Sequence, residues 1–98
     1  MDEHVSAVER FTDDLSALGV AHTQVVKAIG LYVDALFRPS MESWSDLYRH
    51  VSQTLQQWPG RPVSVDAAQR LYALMDDDLG RRVLEAPVRA RLREAMFS

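Results

Sequence analysis

The sequence predicts an all-α protein, a compact bundle-like or orthogonal domain of four to six helices with the helix over residues 23–37 at its centre. Apolar residues recur at three- and four-residue intervals from end to end, the spacing of one face of an α-helix. Residues that cap or break helices divide the chain into segments of helical length. The chain has 98 residues, 47% hydrophobic and 26% charged, which suits one helical domain over residues 1–98.

The first predicted helix carries a single apolar stripe and ends at Gly19, which is well placed as the left-handed residue of a helix terminus. Asp13 and Asp14 are expected on other parts of the helix surface, away from the stripe. The stripe consists of Val5, Val8, Phe11, Leu15 and Leu18.

The second predicted helix, from about Val20 or Thr23 to Phe37, is apolar around most of its circumference. Its polar residues form a narrow strip of Gln24, Lys27 and Asp34. A helix of this kind normally lies in the centre of a core or at an oligomer interface. We expect both: a central helix, and a homodimer that buries the apolar surface left over by short neighbouring helices.

The third predicted helix begins at Ser40 or Ser43, each of which can act as an N-cap. If Ser43 is the cap, Asp46 replaces the usual Glu of a capping box. The sequence leaves open whether Trp44 and Trp58 belong to the core or to an interface. The apolar stripe of this helix is Trp44, Leu47, Tyr48, Val51, Leu55 and Trp58.

The Pro- and Gly-containing segment 59–62 is the most definite break in the chain. Ser64 is expected to cap a fourth helix. The acidic run 76–78 is unfavourable at a helix C-terminus and favourable at an N-terminus, so we expect a break there. Residues 79–96 are then either a short helix followed by another that starts near Pro87, or one helix kinked at Pro87.

No arrangement of residues indicates a catalytic, cofactor-binding or metal site. The chain has no cysteine, which excludes thiolate chemistry. The three histidines are far apart in sequence, and His50 is expected to form a surface pair with Asp46 one turn away. The three consecutive aspartates lack the alternating spacing of a calcium loop. We therefore expect a protein that is not an enzyme and uses no cofactor.

Basic residues are concentrated at the C-terminal end. Residues 81–98 carry five Arg and two Glu, a charge of +3, which leaves −6 on the rest of a chain whose net charge is −3. Glu85 can pair with Arg81 and Arg89 across one turn. The basic segment is either a nucleic-acid contact or a solvated or salt-bridged helix face, and we favour the latter.

By elimination, we expect a small regulator, adaptor or inhibitor that acts through helical surfaces on a protein partner of unknown identity. The alternative is a nucleic-acid-binding regulator that uses the C-terminal arginines. The candidate interaction surface consists of Trp44, Tyr48, Trp58, Arg82, Arg89 and Arg93.

A cytoplasmic location without membrane association is expected, because a small secreted domain usually contains disulfides and no segment here is apolar enough to span a bilayer. The chain has ten Arg but only one Lys, one Ile and no Asn. This bias suggests a bacterial or phage genome rich in G and C.

Overall fold

Six helices make up the described part of the chain, which covers residues 2–58, 64–84 and 86–97 of a computed structural model. Its Cα radius of gyration is 12.4 Å, close to the value of about 13 Å expected for a compact chain of this length. The all-α compact fold is therefore confirmed. The helices are α1 (Asp2–Ala17), α2 (His22–Phe37), α3 (Met41–Gln56), α4 (Val65–Leu74), α5 (Asp78–Val83) and α6 (Ala86–Met96).

The ends of the first helices follow from local sequence. Gly19 adopts a φ of +79°, the left-handed conformation that glycine accepts without a steric penalty. Ser40, and not Ser43, is the N-cap of α3: its hydroxyl accepts from the Ser43 backbone N–H at 3.0 Å. The Ser43 hydroxyl accepts in return from the Ser40 N–H at 3.0 Å, so the two serines form a reciprocal capping box.

The C-terminal third contains three separate helices. Ser64 caps α4, and Asp77 caps α5 by accepting from the Gly80 N–H at 2.7 Å, so the break expected at the acidic run is confirmed. Leu84 has an extended backbone with a ψ of 129°. Residues 79–96 are therefore two helices and not one kinked helix, with Pro87 in the first turn of α6.

One hydrophobic core joins the N-terminal and C-terminal helices. α3 packs against α2, α5 and α6, while α4 packs against α1 and α6. The largest fully buried side chains come from four of the six helices and from the turn after α1. They are Leu15, Leu18, Leu47, Val51, Leu55, Leu71, Val88 and Leu92.

The expected central position of helix 23–37 is wrong. Among the described elements, α2 packs only against α1 and α3, whereas α3 has three neighbours. A helix with neighbours on one side can bury only one side, so apolar content did not indicate where α2 lies. Its buried residues are Val25, Ala28, Tyr32 and Ala35.

Two sequence expectations lie outside the described residues. One is the break at residues 59–62, and the other is the pairing of Glu85 with neighbouring arginines.

Candidate functional site

Two of the three aromatic residues expected at the interaction surface belong to the core. Tyr48 and Trp58 are 3% and 4% exposed, and Trp44 is half-buried. The ring centroid of Trp44 lies 6.1 Å from that of Tyr32 and 6.0 Å from that of Tyr48. Because α3 has three helical neighbours, the core uses its apolar stripe, and Tyr48 and Trp58 present no surface to a partner.

Tyr48 connects α3 to the start of α5. Its hydroxyl lies 2.9 Å from Oδ2 of Asp77 and 3.1 Å from the carbonyl oxygen of Leu74. Burial raises the pKa of Tyr48, and the hydrogen bond to the Asp77 carboxylate raises it further. The other oxygen of Asp77 caps α5, and a Cβ on Gly80 would collide with the Met75 carbonyl. These residues form a structural link between helices.

Arg91 caps the C-terminus of α3 from α6. Its Nη1 donates to three carbonyl oxygens at distances of 3.0, 2.8 and 3.1 Å, those of Leu55, Gln56 and Trp58. The last carbonyl groups of a helix lack partners within the helix and carry partial negative charge, so a guanidinium is favourable there. This arginine of the basic segment therefore has a structural role.

The basic segment is partly neutralised by the acidic residues beside it. Nη2 and Nη1 of Arg81 lie 3.4 Å from a carboxylate oxygen of Asp76 and 3.6 Å from one of Asp78, respectively. Of the arginines predicted to form a surface, two are exposed and one is half-buried. The exposed ones are Arg82 on α5 and Arg93 on α6, and the half-buried one is Arg89 on α6.

His50 is a core residue and not half of a surface pair with Asp46. It is 6% exposed, and its Nε2 lies 3.0 Å from the Gln24 carbonyl oxygen, which can only accept, so the ring donates. Asp46 instead lies 3.6 Å from Arg49. His50 therefore links α3 to the first turn of α2 through this hydrogen bond.

An ion pair between a buried aspartate and a partly exposed arginine, which sequence reasoning missed, joins α1 to α4. Asp14 is 3% exposed, and Arg70 donates to it through Nε at 3.0 Å to each oxygen and through Nη2 at 2.7 Å. The Asp14 position is about 40° from Leu18 around the helix, at the border of the apolar stripe. This border position could have indicated that Asp14 is buried, but no neighbouring residue in the sequence indicated Arg70 as its partner.

The outward side of α2 is an exposed apolar face, which we call the α2 face. Its exposed apolar side chains are Val26 at 54%, Phe37 at 52% and Val33 at 36%. Gly30 lies beside them on the helical wheel, on the side of Lys27 and Asp34, and a Cβ there would have no atom within 4 Å. Lys27 and Asp34 form the polar edge of this face. The partly buried Ile29 and Leu36 border the opposite edge.

The described residues contain no group of three His, Cys, Asp or Glu side chains that could hold a metal ion. In the same residues, no helix is long and apolar enough to cross a bilayer. Comparisons of the chain with protein-family models, with curated proteins and with solved structures found no match. The function must therefore be inferred from the geometry of the protein's own residues.

Proposed function

We propose that this protein is a non-enzymatic cytoplasmic regulator, adaptor or inhibitor that acts by protein–protein contact and works as a homodimer through the α2 face. The observation that carries the proposal is the row of exposed apolar side chains on α2, Val26, Val33 and Phe37. Contiguous exposed apolar surface on a small protein marks an interaction site. The lack of cysteine supports a reducing compartment.

A second copy fits this face because its charges are self-complementary. Lys27 and Asp34 lie on the same edge of α2, seven residues or about 10.5 Å apart along the axis. When two copies of α2 pack antiparallel about a point between residues 30 and 31, Lys27 of each copy faces Asp34 of the other. Both ion pairs then form on one side of the interface, as a closed two-fold dimer requires.

The apolar residues complement each other in the same arrangement. Val26 of one copy fits between Val33 and Phe37 of the second copy, as a knob fits a hole between successive turns. Gly30 lies at the crossing point, where the absence of a side chain allows the two helix backbones to approach closely. The α2 face is therefore complementary to a second copy of itself in both shape and charge.

The nucleic-acid alternative has less support. Arg91 is engaged with the end of α3 and Arg81 with neighbouring carboxylates, so fewer arginines are available to contact phosphate. We expect no significant binding of duplex DNA or structured RNA at about 150 mM salt. Fluorescence anisotropy with labelled duplex tests this. If the duplex binds with sub-micromolar affinity and Arg89→Glu/Arg93→Glu abolishes that binding, nucleic-acid binding becomes the preferred function.

Sedimentation velocity of Val26→Glu tests the dimer face. Wild type is expected to sediment as a dimer at tens of micromolar, and Val26→Glu as a monomer, because the change buries two unpaired carboxylates in the interface. Gln69→Glu adds the same charge at an exposed position of α4 and is expected to remain dimeric. Circular dichroism checks that both variants keep their helical content. A dimeric Val26→Glu would refute the proposed face.

A charge exchange tests the antiparallel arrangement. Lys27→Glu and Asp34→Lys are each expected to weaken dimerisation several-fold, because each places like charges opposite one another. The double variant Lys27→Glu/Asp34→Lys is expected to restore wild-type affinity. Within one chain these two residues are about two turns apart, so restored affinity requires contact between copies. If the two changes instead weaken dimerisation additively, the antiparallel arrangement is contradicted.

A further inference from the structure

An open groove lies between α1 and α4, and Tyr32 of α2 contributes to its lining. It has a volume of about 310 Å³, at the lower end of the range of about 300 to 1,000 Å³ for small-molecule sites. Its apolar lining includes Phe11, Leu71 and Leu74, and its polar lining consists of Arg10, Asp14, Tyr32 and Arg70.

The buried Asp14 carboxylate holds Arg70 in a fixed orientation at this groove. Nε and Nη2 of the guanidinium donate to Asp14, and these hydrogen bonds raise the pKa of Arg70. Nη1 donates to no described residue, and the Arg70 side chain is 47% exposed. One edge of the guanidinium is therefore anchored, while its remaining donors are available to a ligand.

Arg10 and Tyr32 contribute further donors without acceptors. Arg10 forms no ion pair with the described carboxylates, although it precedes Asp14 by one turn. The Tyr32 ring packs on Phe11 with centroids 4.6 Å apart, and its hydroxyl bonds to no described residue. Burial raises the pKa of Tyr32, and the positive charge of Arg10 opposes that rise. Both side chains line the groove.

We propose that this groove binds a carboxylate whose α-carbon carries an apolar side chain, with Arg10, Arg70 and the Tyr32 hydroxyl donating to the carboxylate. Two arginines and one aspartate give the lining a net charge of +1, which matches a monoanion better than a phosphate dianion. The nearby Glu3 and Asp66 are not part of the lining.

The arrangement of the groove favours an apolar group close to the carboxylate. The donors and the apolar residues Phe11, Leu71 and Leu74 line the same small volume, so both parts of the ligand must lie within a few bonds of each other. An amino-acid carboxylate with its side chain has this geometry. It occurs in free small acids and at the C-terminus of a polypeptide, where free carboxylates are a known recognition feature.

Titration calorimetry with N-acetyl-phenylalanine tests the site, with N-acetyl-phenylalanine amide as the uncharged control. The acid is expected to bind and the amide to bind at least tenfold more weakly. Arg10→Gln is expected to weaken binding of the acid about tenfold and Tyr32→Phe several-fold, whereas Arg49→Gln, an exposed arginine on α3, leaves it unchanged. Arg10 forms no hydrogen bond or ion pair with the described residues, so its replacement is not expected to affect folding.

A pentapeptide ending in phenylalanine distinguishes the two sources of the carboxylate. Tighter binding than N-acetyl-phenylalanine indicates a chain terminus, and equal binding indicates a small acid. The proposal is overturned if the acid does not bind at 10 mM, if the amide binds equally well, or if Arg10→Gln has no effect. Val26→Glu is expected to bind the acid like wild type, so this site and the dimer face can fail independently.

Discussion

α2 and α3 are both sixteen residues long, yet the more apolar helix is the less buried one. α2 contains ten apolar residues and buries four residues in all, whereas α3 contains six apolar residues and buries eight. The buried residues of α3 include polar ones with internal partners, such as Ser43 and His50. In these two helices burial therefore follows the number of packed neighbours, and the excess apolar residues of α2 remain exposed.

The largest expected effect comes from the core stripe of α3. Leu47→Ala is expected to lower the free energy of unfolding by about 2 to 5 kcal/mol, because Leu47 is fully buried and its truncation leaves a cavity. Urea denaturation followed by circular dichroism measures this loss. It should be the same at low and high protein concentration, and a loss below about 1 kcal/mol would contradict the central position of α3.

A smaller effect is expected from the hydroxyl of Tyr48. Tyr48→Phe should cost about 1 kcal/mol of unfolding free energy near pH 8, because it removes the hydrogen bond to Asp77. The raised pKa of Tyr48 in the folded protein means that this contribution is fully present below the unfolded pKa of about 10. It is lost as pH rises further, because the unfolded state then releases a proton that the folded state keeps.

Denaturation of wild type and Tyr48→Phe at pH 8 and at pH 11 measures this pH dependence. The difference in stability between them should shrink or disappear at the higher pH. Tyr72→Phe, which removes a hydroxyl from a half-buried tyrosine of α4, is the matched control and should follow the wild-type pH dependence. If the stability difference between wild type and Tyr48→Phe instead grows with pH, the pKa of Tyr48 is not raised in the folded protein.

The smallest effect on the monomer is expected on α2. Val26→Ala should change the unfolding free energy by less than about 0.5 kcal/mol at a concentration where the protein is dissociated. At tens of micromolar it should cost more, because it weakens the dimer that stabilises the folded state by mass action. Denaturation at two concentrations checks this. A large loss independent of concentration would mean that Val26 belongs to the core.

The fold could be predicted from local sequence because its determinants are local. Apolar spacing indicated the helices, and the position of Gly19 and the capping ability of Ser64 indicated two of their ends. Which helix lies at the centre could not be predicted, because that depends on packing between segments distant in sequence. The burial of Asp14 and of His50 could not be predicted either, because it also depends on residues distant in sequence. The partner of Asp14, Arg70, is 56 residues away, and His50 bonds to the α2 backbone.

The candidate site was predicted in part. The apolar excess of the second helix led us to expect an interface, which stays a prediction, and the structure leaves Val26, Val33 and Phe37 exposed on one side. Trp44, Tyr48 and Trp58 were less informative, because a stripe of large apolar residues has the same spacing in a core as at an interface. The groove beside Arg10 could not be predicted, since it is lined by residues from three helices.

Disulfide cross-linking of Gly30→Cys tests the α2 dimer most directly. The chain has no native cysteine, and a Cβ at position 30 has no neighbouring atom within 4 Å, so the variant should fold. Under mild oxidation Gly30→Cys is expected to form a cross-linked species of twice the 11.1 kDa chain mass. It should do so much faster than the control Gln69→Cys, because Gln69 lies on the exposed side of α4. Equal rates for the two variants would contradict packing of two copies around Gly30.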